Sequence, residues 1–224
     1  MIRIRIVVLA LFFMSLTNAQ VLEWTPYFAT DTSAIEITYD ASKGNGALVN
    51  VIPIYYHTGV ITNLSTSPSD WRYVKTTWGV PSNNPMMQYL GGTKWKLTLP
   101  SIRTYYGVPA NEQILKLAFV FRNANGSITG KEADGSDIFL PLSQPGLNVK
   151  ITSPAEQPKI VLVNESVTIN ALSLGSTSLT LFVNGSQVAN TASTSLTHTT
   201  SFPTAGKYWI TAVAQGTGGV VKKD

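Results

Sequence analysis

The chain has no cysteine among its 224 residues. That excludes disulfides, thiol nucleophiles and cysteine metal sites, and leaves stability to apolar cores. Charge is also scarce. Only 12% of residues are Asp, Glu, Lys or Arg, and no run of Lys or Arg marks a nucleic-acid surface. No segment keeps a 3.6-residue apolar period, so long amphipathic helices are not expected. Past the N-terminus, no apolar run is long enough to cross a bilayer as a helix.

What is present begins with a leader pattern. Arg3 and Arg5 precede an apolar stretch, Ile6 to Met14, that is too short for a membrane span. Thr17-Asn18-Ala19 supplies small residues for cleavage before Gln20. A signal peptide over 1–19 is therefore expected, with a retained anchor as the rival reading. Cleavage removes two arginines and lowers the formal charge from +4 to about +2. The expectation is an exported protein, secreted or held at the cell surface.

The patterned segments read as β. Ala34–Tyr39, Trp95–Leu99, Leu115–Arg122 and Ile138–Leu142 alternate apolar with polar residues between Gly, Pro, Asn and Ser clusters. One helical turn is predicted at Ala110–Ile114. Composition changes across Leu142–Pro158: Trp24, Trp71, Trp78 and Trp95 lie upstream, and Trp209 alone lies downstream in a Ser/Thr/Val-rich stretch. This predicts an all-β chain of two tandem β-sandwiches, residues 20–143 and 144–224. In the second, Val149–Pro154, Ser166–Leu172, Leu179–Val183, Ser195–Phe202 and Gly206–Ala214 read as strands, with an Asn184-Gly185 hairpin turn. Regular short strands suggest an immunoglobulin-like sandwich. By strand count its last strand is missing or only begun, so a fragment, truncated at its C-terminus, is expected.

Ile54–Gly79 concentrates aromatic rings around a polar loop. The C–H face of a pyranose stacks on such rings, while amides, hydroxyls and imidazoles bond its hydroxyls. If Pro53–His57 is extended, Tyr55 and His57 share a face. If Trp71–Trp78 is extended, Trp71, Tyr73 and Lys75 share one face and Trp78 takes the other. The plainer alternative is that these rings are core. Trp24, Tyr27 and Trp95 read as structural, and Tyr105-Tyr106 as a cap or a binding rim.

Catalytic chemistry finds little support. Asp31, Asp40 and Asp70 are scattered near loops, and Glu132, Asp134 and Asp137 cluster late. None is placed as a glycosidase pair would require. Asp134-Gly135-Ser136-Asp137 reads as a solvated turn, with a calcium loop as the weaker alternative. His57 and His198 fit no zinc spacing, and no Gly-x-Ser-x-Gly elbow occurs. No cofactor or metal is expected, and catalysis by this chain alone is not.

The blocks Asp40–Gly46, His57–Trp71, Tyr105–Gln113 and Leu117–Asp137 resemble the N-terminal β-sandwich module of secreted α-amylase-family glycoside hydrolases from Bacteroidetes-type bacteria. In those enzymes the module is akin to starch-binding modules and precedes an immunoglobulin-like module and a catalytic barrel. The resemblance implies α-glucan binding by Tyr55, His57, Trp71 and Trp78, with Lys75 as a hydrogen-bond donor. It also implies a catalytic partner domain that this chain does not contain. The alternative is a pair of structural spacers that dock such a domain without binding sugar.

Overall fold

Alternation of apolar and polar residues shapes several strands of the first half. In β2 (Ile35–Asp40) the side chains of Ile35, Ile37 and Tyr39 are buried, and those between them are not. The same period buries Trp95, Leu97 and Leu99 in β5 (Lys94–Leu99) and Tyr56, Thr58 and Val60 in β3 (Tyr55–Thr62). A strand with one apolar face must set it against another sheet, which is how the two layers arise. The computed structural model describes residues 20–81, 86–155 and 158–224. The expected leader, 1–19, falls outside the described residues.

One antiparallel sheet runs β1 (Leu22–Thr25), β2, β5, β4 (Gln88–Gly91). The facing sheet pairs β3 with β6 (Ile114–Arg122). The other edge of β6 pairs β7 (Thr129–Gly130) at its end and β8 (Ile138–Pro141) at its middle. Leu117, Phe119 and Phe121 point from β6 into the core, and Phe121 stacks on Tyr39 with ring centroids 3.9 Å apart. The helical turn is α1 (Ile102–Tyr106), eight residues earlier in the chain than expected. Gly107, at φ 71°, ends it in the left-handed conformation. Ala110–Gln113 forms a turn instead, with the Glu112 N–H on the Pro109 carbonyl, because the Glu112 side chain is drawn into the protein.

The second half forms two further sheets. One is β13 (Ser195–Ser201), β10 (Ser166–Leu174), β9 (Asn148–Ser153). The other is β12 (Ser186–Thr191), β11 (Ser176–Val183), β14 (Ile210–Gly216), β15 (Val221–Lys223). These seven strands enclose a separate cluster centred on Ile169, Leu179, Leu181, Ala212 and Ala214. The Asn184-Gly185 hairpin joins β11 to β12 as its sequence predicts. β14 starts at Ile210 rather than Gly206. Before it, the Tyr208 hydroxyl bonds back to the Thr204 carbonyl at 3.1 Å, which curls Gly206–Trp209 into a corner. The three residues of β15 pair with β14, and Asp224 ties back to β9 through the Ile151 N–H and the Lys150 ammonium. The chain is thus all-β, built of β-sandwich layers.

Candidate functional site

The outer face of β3 carries the rings. Because Tyr56 and Thr58 point inward, Tyr55 and His57 point out. Their partners on β6 are Arg122 and Val120. An outward arginine is ordinarily solvated, yet Arg122 is 0% exposed. The rings of Tyr55 and Trp78 close over its guanidinium, at 5.4 and 5.8 Å from their centroids. Its Nη1 donates to the carbonyls of Asn123 at 2.8 Å and Ala124 at 2.6 Å, which fixes the chain leaving β6. No carboxylate pairs with it among the described residues, and its Nε–H meets no acceptor there.

Trp71 reaches the same face through a close crossing. Arg72 bridges Val60, with its N–H on the Val60 carbonyl at 2.8 Å and its carbonyl on the Val60 N–H at 2.9 Å. Gly59 permits this approach: a Cβ there would stand 3.0 Å from the Arg72 carbonyl oxygen and 3.3 Å from the Trp71 Cβ. The Trp71 ring then stacks on His57, centroids 5.7 Å apart and 24° from parallel. Trp78 meets His57 edge-on at 5.3 Å. The two tryptophans therefore share one imidazole, contrary to the alternation expected across Trp71–Trp78. That segment is not a strand, and Tyr73, at φ 52°, breaks the period.

Trp78 is the open ring, 45% exposed. It lies over Gly126, where a Cβ would come within 2.8 Å of its Nε1. Trp71 is half-buried, and its Nε1–H finds no acceptor among the described residues. His57 is held by a relay. The Thr58 N–H donates to the Thr76 hydroxyl at 3.3 Å, and that hydroxyl lies 2.6 Å from His57 Nδ1. The hydroxyl has a proton and a second lone pair to offer, so it holds Nδ1 in either tautomer of the imidazole and leaves the Nε2 edge free. Burial, then the nearby Arg122 charge, lowers the His57 pKa, while Asp137 pulls weakly the other way. The ring is neutral at pH 7 and offers its Nε2 edge.

Lys75 goes elsewhere. Its backbone N–H bonds the Thr58 carbonyl, and its ammonium lies beside Gly107, at the end of α1. The structure thus gathers Tyr55, His57, Trp71 and Trp78, and leaves Lys75 apart from them. Trp95 is buried in the core, and Trp24 packs against that core half-buried. Tyr106 is buried, with its hydroxyl 2.6 Å from Thr58 Oγ1.

Two residues escaped the sequence reading. Arg122 ends an alternating run, and its outward parity opposite Tyr55 was the available signal. Glu112 had none. It is buried, and accepts from Thr62 at 2.5 Å, Arg72 at 2.6 Å and Tyr73 at 2.5 Å. Burial alone would raise its pKa, but these three donors more than offset that and hold it below the usual glutamate value. Glu112 thereby anchors the two residues that follow Trp71.

Several of the acids weighed for catalysis are engaged in structure. Asp31 pairs with Arg103, Asp70 accepts the Thr66 N–H at 2.9 Å, and Asp134 accepts the Ser136 N–H at 2.9 Å. Asp137 pairs with Lys131 at 2.9 Å. Among the described residues no three acidic or histidine side chains converge as metal ligands.

A family model described as a domain of unknown function, DUF8578, matches residues 22–129. No curated protein matches the chain. A solved structure of the fibronectin(III)-like modules of Clostridium thermocellum CbhA is similar over 91% of this chain and 90% of that one. The identity is 14% and the TM-score 0.32, too loose a likeness to bear on function.

Proposed function

We propose that this chain is the exported, non-catalytic α-glucan-binding region of an α-amylase-family glycoside hydrolase. Residues 20–143 form the binding module, residues 144–224 form an immunoglobulin-like spacer, and both serve a C-terminal catalytic domain that the chain does not contain. The observation that carries this is the convergence of Tyr55, His57, Trp71 and Trp78 on one outer face, with the Trp78 ring open to solvent. Trp78 supplies a stacking surface. The free Nε2 edge of His57 supplies a fixed hydrogen-bonding group for a sugar hydroxyl. Arg122 beneath the rings holds Tyr55 and Trp78 in place, so little order must be gained on binding.

A stacked ring contributes about 0.5–1.5 kcal/mol beyond its area burial. Such a site binds weakly and releases fast, which suits a module that concentrates a tethered catalytic domain on a polymer. The test is retention of the whole chain on insoluble starch, with cellulose as control. Selective retention on starch, lost in Trp78→Ala and weakened in Trp71→Ala, is expected. Retention unchanged in both variants would refute this site. No retention of the unaltered chain would leave the rings to a protein partner, the spacer reading.

A further inference from the structure

A second concavity lies away from these rings, at the open side of the first sandwich. β1 is the outer strand of one sheet and β8 the outer strand along β6 of the other. Between them opens a cleft of about 350 Å³, bordered by Gln20, Leu22 and Trp24 on one side and Glu132, Ile138 and Phe139 on the other. This is the volume range of small-ligand sites.

Three features define what fits there. The indole of Trp24 is immobilised. Its Nε1–H donates to the Tyr27 carbonyl at 3.0 Å, and the Tyr27 ring stacks on it, centroids 6.1 Å apart and 17° from parallel. With its N–H engaged, Trp24 offers apolar ring surface. Half-buried Phe139 extends that surface. The half-buried carboxyl of Glu132 has no donor within hydrogen-bond reach among the described residues. Burial, then Asp134, raises its pKa, as expected of a carboxylate lacking donors. An occupant must therefore bring hydroxyl donors for Glu132 and an apolar face for Trp24. A cation would need more ligands, and Asp134 is turned to Ser136.

We propose that this cleft is a second glycan subsite, taking one end of an oligosaccharide with a pyranose C–H face on Trp24 and hydroxyls on Glu132. It rests on the reading of the chain as a glycan binder, and makes that binding bivalent. Two weak sites on one module raise retention on a polymer far above either alone.

Calorimetric titration with maltotriose, which is short enough to report each site separately, tests it on the whole chain. The unaltered chain is expected to bind two equivalents and Trp78→Ala one. In the Trp78→Ala background, Glu132→Ala lowers the remaining affinity about ten-fold or more, the effect of removing a charged acceptor. Glu132→Gln, which keeps one acceptor and the shape, falls between. Loss of all binding in Trp78→Ala alone would overturn the cleft while leaving the outer-face site intact. Full binding in Trp78→Ala that vanishes in Glu132→Ala would do the reverse. No binding by the unaltered chain would overturn both.

Discussion

Replacing Gly126 by Ala perturbs the ring face without removing a ring. Gly126 sits at φ 76°, and an added Cβ would stand 2.8 Å from Trp78 Nε1 and 3.0 Å from its Cε2. Two effects combine. The left-handed backbone penalises any L-side chain by about 1–2 kcal/mol. The contact then forces the indole off the Arg122 guanidinium, because the ring is the movable partner. Gly135 provides the control: at φ 84° it bears the same backbone penalty, with nothing within 4 Å of its Cβ position. With a urea m-value of about 2 kcal/mol/M, each variant should lose about 0.5–1 M in its unfolding midpoint. Gly126→Ala alone should also shift the tryptophan emission and reduce starch retention. If the two variants match in emission and retention, Trp78 is not seated on Gly126 and the account of the site is wrong.

Other substitutions probe the scaffold. Phe121→Ala removes the ring stacked on Tyr39 and should destabilise the first sandwich by about 3–5 kcal/mol, read from denaturant unfolding. Glu112→Gln should lower stability at pH 7. Because the folded-state pKa of Glu112 lies below its unfolded value, its contribution is present above the unfolded pKa and is lost as pH falls through the folded one. The gap between the parent and Glu112→Gln should therefore close on acidification, and a gap that is constant from pH 7 to pH 3 would count against the Thr62–Arg72–Tyr73 cluster as its source.

Much of the fold was legible because strand periodicity is a local property. Ile35–Asp40 alternates in the sequence as it does in the protein, and Asn184-Gly185 carries its own turn geometry, whereas Leu117–Arg122, expected to alternate, is buried on both faces because rings and loops cover its outer side. The aromatic stretch was also visible, since composition alone marks it. Its geometry was not. Parity across Trp71–Trp78 presumes continuous extension, and one left-handed residue, Tyr73, cancels it. Glu112 was invisible because its partners, Thr62, Arg72 and Tyr73, lie about forty to fifty residues away in sequence. Arg122 reads as a surface residue until the rings that roof it are in place.

The guanidinium under those rings has a consequence for acid conditions. Burial lowers the Arg122 pKa, yet at neutral and acid pH the guanidinium stays charged, and among the described residues no carboxylate pairs with it. The carboxylate that acts on His57, Asp137, is already shared with Lys131. A proton taken up by His57 would thus place a second positive charge in a compartment that accommodates one. Acidification sets two cations against each other beneath Trp71 and Trp78, so this face is where the first sandwich should begin to open as pH falls, ahead of its core.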